Sequence, residues 1–285
     1  MYNNFLNQKK MGKTKSNPKN DDSKINKKRK RRNFITVKSL LKKKEKEKNT
    51  NEISIDKNYI TIKVKIEEED INKKIYLLCT NNTDIEEEKN NYIKNYLKKN
   101  KIILNIITKE NNEVNSIKKN YNKFPKKGEF EIRIKFKLIL SQGFSLFSGC
   151  ENITQIDFSH FNTILLSNFN YMFLNCYNLR RLNLSSFDTS QMTTMKFMFY
   201  GCENLEDIIL SSFDTSNVID ATGLFGYCKK LVNLNLSKFN FKNLKNKEDM
   251  FKGCENLENI IINEQLFNQI GDIFKNYMGI GDWGL

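Results

Sequence analysis

Cys150, Cys176, Cys202, Cys228 and Cys254 follow one another at intervals of 26 residues. Around them the register never slips. Phe147, Phe173, Phe199, Phe225 and Phe251 stand three residues before each cysteine, and Ile153, Leu179, Leu205, Leu231 and Leu257 three after. Ile156, Leu182, Ile208, Leu234 and Ile260 are each followed two residues later by Phe158, Leu184, Leu210, Leu236 or Ile262. Self-similarity at this period restricts the fold to a stack of copies, each burying its apolar side against its neighbours because one copy alone cannot.

The two apolar residues of each L-x-L element point the same way from a short strand. Strands from successive copies stacked at about 4.8 Å would enclose a continuous core. The residue between them then points outward, so Asp157, Asn183, Ile209, Asn235 and Ile261 are the candidate partner contacts. Ser159, Ser185, Ser211 and Ser237, with Asn162, Asp188, Asp214 and Asn240, have the chemistry to close turns on nearby backbone N–H groups. The other half of each copy, typified by Met192, Met195 and Met198, keeps a three-residue apolar spacing suited to a short helical turn or an irregular segment.

These residues resemble the BspA-like leucine-rich-repeat family, in its 26-residue subtype. The clearest match runs from Phe187 to Leu210, FDTSQMTTMKFMFYGCENLEDIIL, and recognisable copies cover about 141–262. The resemblance implies a leucine-rich-repeat-type solenoid of about five coils and a role in protein–protein contact or adhesion. It breaks down after Asn263, where Leu266, Phe267, Ile270, Ile273, Phe274 and Trp283 are expected to close the open core as a cap over 263–285.

Charge separates the rest of the chain. The whole protein is at +15, but residues 1–50 hold 18 Lys and Arg against 4 Asp and Glu, a net of +14. That segment has too little apolar surface to offset chain entropy of about 1–2 kcal/mol per residue and is expected to be a disordered tail. Within it, Lys27, Lys28, Arg29, Lys30, Arg31 and Arg32 form a run suited to nuclear targeting, or to weak, nonspecific contact with nucleic acid or an anionic surface. The repeats carry 10 basic and 12 acidic residues and lack the positive footprint of a phosphate-gripping surface.

Residues 51–140 read as a small α+β domain. Ile60, Ile62, Val64 and Ile66 alternate at period two, as do Phe130, Ile132, Ile134, Phe136 and Leu138, while Tyr92, Ile93, Tyr96 and Leu97 lie at helical spacing within 86–100. The expected order is ββαβββ, in a β-grasp-like mixed sheet with one covering helix.

A single histidine, His160, excludes most zinc sites and hydrolytic triads, and no paired carboxylates stand out. No catalytic, cofactor-binding or metal-ligating residues are expected, nor an enzyme. The cysteine ladder is expected to be structural: parallel Cβ vectors disfavour disulfides between neighbours, a linear row does not converge on a metal, and buried thiols serve as small apolar fillers. No apolar run approaches the roughly 18–20 residues of a membrane span, and none follows the N-terminal Met. The expected protein is therefore an intracellular scaffold, cytoplasmic or nuclear, binding an unidentified protein through the solenoid face. A surface adhesin is the alternative, with glycosylation sequons at Asn81, Asn152, Asn183 and Asn235.

Overall fold

The computed structural model describes residues 58–78, 103–108, 111–117, 121–136, 139–140 and 142–278. The basic tail with Lys27 to Arg32, the helix expected over 86–100, Cys79, Asn81 and Trp283 lie outside these residues. The described residues are mostly β-sheet with one α-helix and fall within one compact unit.

Four strands precede the repeats in the main sheet: β1 (Tyr59–Ile66), β3 (Ile103–Thr108), β4 (Asn111–Ile117) and β6 (Gly128–Lys135). A small separate pair is formed by β2 (Ile75–Tyr76) and β5 (Tyr121–Asn122). Each repeat copy then contributes one strand: β7 (Ile153–Asp157), β8 (Arg181–Asn183), β9 (Asp207–Ile209), β10 (Asn233–Asn235) and β11 (Asn259–Ile261). The main sheet runs β4-β3-β6-β1-β7-β8-β9, with β10-β11 as a second, two-stranded sheet. Copies pair in parallel, whereas β4, β3, β6, β1 and β7 are successively antiparallel.

This corrects the expected β-grasp-like mixed sheet: among the described residues before the repeats every pairing is antiparallel. Alternation tells which side chains are buried but not which strands are neighbours. Here Ile62 sits opposite Ile132 and Ile60 opposite Ile134, so the buried faces of β1 and β6 coincide. The other side of β1 pairs with the first repeat strand, Ile62 opposite Ile156 and Thr61 opposite Asp157. The boundary expected at residue 140 thus falls within a continuous sheet. Outside the ladder, Tyr59 N–H donates to the His160 carbonyl (3.2 Å), Asn162 N–H to Asn58 Oδ1 (3.0 Å) and Lys65 N–H to the Asn152 carbonyl (3.0 Å).

The core of the stack is aromatic at its centre. Phe147, Phe173, Phe199, Phe225 and Phe251 lie face to face at centroid distances of 5.5, 5.7, 5.4 and 5.8 Å. In the other half of its copy the Met192, Met195 and Met198 side chains are also fully buried. It forms turns rather than a helix, crossing from copy to copy through parallel bridges at Asn168, Thr194, Asp220 and Asn246. Each copy passes twice through left-handed backbone. Ser145, Tyr171, Phe197, Gly223 and Asp249 have φ of 52° to 61°, and Gly149, Asn175, Gly201, Tyr227 and Gly253 of 57° to 74°. Such a conformation costs a non-glycine residue roughly 1–2 kcal/mol. Burial of one large apolar side chain is worth about 1.5–3 kcal/mol, and a copy buries several, so the turns are held open by the core they enclose. At Gly201 glycine avoids that cost at φ 74°, and a Cβ there would require the Asn175 side chain to shift.

The repeat pattern ends where a helix begins. Helix α1 (Glu264–Met278) follows Asn263, whose Oδ1 accepts the Leu266 N–H (2.7 Å) while its Nδ2 donates to the Ser237 (2.8 Å) and Phe239 (3.1 Å) carbonyls. One side chain caps the helix and ties it to the preceding copy. Leu266, Ile270 and Ile273 are buried over the end of the core.

Candidate interaction face

Strands β8, β9 and β10 are each exposed, buried, exposed in turn, and the buried residue is the first apolar position of L-x-L; in β11 that residue, Ile260, is half-buried. Asp157, Asn183, Ile209, Asn235 and Ile261 are accordingly all solvent-exposed in one row. A second exposed row runs beside it, made by Gln155, Arg181, Asp207, Asn233 and Asn259. Sequence reasoning passed over this second row because it precedes the L-x-L element, although the same period of two marks it. In this row Gln155 stands opposite Arg181 and Arg181 opposite Asp207, and Asn259 Nδ2 donates to Asn233 Oδ1 (2.9 Å). The face is therefore two residues wide, polar, and of mixed charge.

Three of the first-row residues also hold the backbone. Asp157, Asn183 and Asn235 each accept, on Oδ1, the N–H of the serine two residues on, at 2.8, 2.9 and 3.0 Å. Isoleucine has no such acceptor, so Ile209 and Ile261 break the series and stand as exposed apolar groups, 40% and 57% accessible. Asp188 and Asp214 do the same job one turn later, accepting from Ser190 (3.1 Å) and Ser216 (2.9 Å).

Inside, polar groups are committed to neighbouring copies. The thiols of Cys176, Cys202, Cys228 and Cys254 donate to the carbonyls of Phe147, Phe173, Phe199 and Phe225 at 3.1, 3.2, 3.2 and 2.9 Å. Cys150, Cys176, Cys202 and Cys228 are buried and Cys254 half-buried, with no disulfide among them. Burial pushes the Cys202 and Cys228 thiols well above their ordinary range and Cys254 up to about 12, so all three stay protonated and unreactive near neutrality. A second ladder was hidden beside the turn residues Asn162, Asp188 and Asp214. The buried hydroxyls of Thr163, Thr189 and Thr215 accept the N–H of Asp188, Asp214 and Asn240 in the following copy, at 2.8, 2.7 and 2.7 Å.

A polar cleft of about 220 Å³ lies where β1 meets the first copies, lined by Lys65, Glu67, Glu69, Asp70, Glu151 and Arg180 among others. Burial, and then the charge of Asp70, raise the Glu151 carboxyl above its usual range. Lys65 pairs with Glu67, and Asn152 Nδ2 donates to Asp70 Oδ2 (2.8 Å). The one imidazole, His160, stacks on Tyr59 at 4.5 Å, and the Arg133 guanidinium lies 4.5 Å from the same ring. Among the described residues no group of three or more His, Cys, Asp or Glu is arranged to hold a metal ion, and no helix is long and apolar enough to cross a membrane. Of the sequons, Asn152 spends its Nδ2 on Asp70 and on the Lys65 carbonyl, whereas Asn183 and Asn235 project from the exposed row.

The sequence profile of a family described as "Mycoplasma protein of unknown function, DUF285" matches residues 142–264, the segment from the first copy to the start of α1. Comparison with curated proteins and with solved structures gave no match.

Proposed function

We propose that this chain is a non-enzymatic interaction protein whose repeats form a leucine-rich-repeat-type solenoid of the BspA-like kind, with the two-row strand face as its contact surface. The observation that carries this reading is a division of labour. Thiols, threonine hydroxyls and phenylalanine rings are spent on binding one copy to the next, while the two exposed rows vary from copy to copy and have no partner-independent reason to do so beyond the Asx turns. The mixed charge and scattered isoleucines of that face suit a protein partner better than a nucleic acid. The test is a photo-crosslinking residue placed in the cell at position 183, 209 or 235, with 191 and 245 on the turn side as controls. The reading requires one protein captured from the strand positions and not from the controls. Equal capture from both sides, or saturable turnover of a small molecule by the purified chain, would overturn it.

The family match over the repeats and the BspA-like resemblance also support surface display, in which the same face would act in adhesion. Protease treatment of intact cells separates the two: loss of the full-length chain favours display, protection favours an internal scaffold. For the tail, the run Lys27 to Arg32 supports nuclear entry or loose binding to polyanions, and a fluorescent fusion with and without residues 1–50 reads that directly.

A further inference from the structure

We infer that the junction between the third and fourth copies, where β9 meets β10, is a hinge at which the stack bends open on its strand side. Of the four junctions between copies, this one has no paired strands: the long sheet ends at β9 and the short sheet begins at β10. Among the described residues, bonds made at the two adjoining junctions are missing here, although the first of them is also missing where β7 meets β8, at Phe158. At the junction before it, Leu184 N–H donates to the Ile209 carbonyl (3.0 Å), and Glu206 (2.9 Å) and Asp207 (3.3 Å) N–H groups converge on the Arg180 carbonyl. At the junction after it, Leu236 donates to Ile261 (2.7 Å), and Glu258 and Asn259 to Val232 (both 3.0 Å). The equivalent donors at the β9–β10 junction, Leu210, Val232 and Asn233, make no such bond among the described residues.

Two further observations fall at the same place. The phenylalanine pair that crosses it, Phe199 and Phe225, is tilted by 13°, against 3°, 7° and 3° for the other three pairs of that column. The strand that ends there is also the interior one without an Asx turn, because Ile209 stands where Asn183 and Asn235 bind their serines.

The opposite wall is closed. Met195, Phe197, Phe199 and Gly201 N–H groups donate across the junction to Asp220, Thr222, Leu224 and Gly226 at 3.0, 2.8, 3.0 and 2.8 Å. At the entrance to the strand, Lys230 N–H still reaches the Glu203 carbonyl (3.1 Å), and the Phe213–Phe239 stack (6.0 Å) keeps the core shut. With its strands unpaired and the opposite wall bonded throughout, the junction rotates about the bonded wall, which here alters the curvature of the exposed face and the spacing of Asn183, Ile209 and Asn235. The inference stands independently of what that face binds.

Two measurements on the full chain test it. In hydrogen exchange resolved by residue, the amides of Leu210, Val232 and Asn233 are expected to exchange about tenfold or more faster than those of Leu184, Glu206, Asp207, Leu236, Glu258 and Asn259. Nitroxide labels then read motion. In a Cys79→Ser background, one variant carries Asp157→Cys with Ile209→Cys, spanning two junctions outside the hinge. A second carries Asn183→Cys with Asn235→Cys, spanning two junctions that include it. The distance distribution of the second is expected to be about twice as broad. Protection of the three amides equal to that of their counterparts overturns the inference. So does equal breadth of the two distributions, even with fast exchange, because a missing bond without movement is not a hinge.

Discussion

Thr189 is wholly buried and polar, a combination that is stable only because its hydroxyl accepts the Asp214 N–H at 2.7 Å and faces the Asp214 carbonyl at 3.3 Å. Thr189→Val keeps the shape and strands a buried backbone donor, so it is expected to lower stability by about 1–3 kcal/mol in chemical denaturation. Loss of less than a few tenths would mean water reaches the site. The cysteines obey similar logic. Maleimide at pH 8 is expected to leave Cys176, Cys202 and Cys228 unmodified in the folded chain and to label them on unfolding, read by mass spectrometry. Labelling at the rate of an exposed thiol would contradict their burial. Glu151 provides a pH signature. Its folded-state pKa is raised above the ordinary value of 4.5, so the folded state holds this proton more tightly than the unfolded one. Its contribution favours folding in acid and is lost as pH rises through the folded value. Glu151→Gln should therefore gain in melting temperature relative to the parent chain between pH 4 and pH 7, and a difference independent of pH would show that Asp70 and burial do not act on it.

At the scale of elements, the closing pieces differ in how they could be read. The phenylalanine column was legible because identical residues at a fixed interval must stack if copies stack, and the outward row followed from period two. The pairing of β1 with β7 was not legible, since Ile60, Ile62 and Val64 declare a buried face without naming a neighbour. Asn263 was visible only as the point where the repeat pattern breaks down; its meaning, the start of α1, depends on three bonds that no spacing encodes. Asn263→Ala removes the helix cap and both tethers and is expected to cost about 1–2 kcal/mol, with hydrogen exchange rising first in 264–278. If exchange rises uniformly through the repeats instead, α1 is not a separable lid. The threonine ladder escaped because a hydrophobicity pattern ranks threonine with the turn residues around it.

For the molecule as a whole, the antiparallel strands before the repeats finish the stack rather than stand beside it. Ile62 and Val64 pair with Ile156 and Ile153, so removing β1 would bare the first copy's sheet edge and core together. A fragment starting at residue 141 is therefore expected to be insoluble or unfolded by circular dichroism, while one starting at residue 53 melts cooperatively. A soluble, cooperatively melting shorter fragment would show that the repeats close their own end. Both ends of the stack are thus occupied by pieces of different design, β1 and α1, and every interior copy meets only copies like itself. Duplication or loss of one 26-residue unit would leave each terminus with a matching seat, while insertion of a single residue would throw every thiol, hydroxyl and ring beyond it out of line. The length of the exposed face can then be increased or decreased by whole-unit recombination of the gene, without redesign of either stopper.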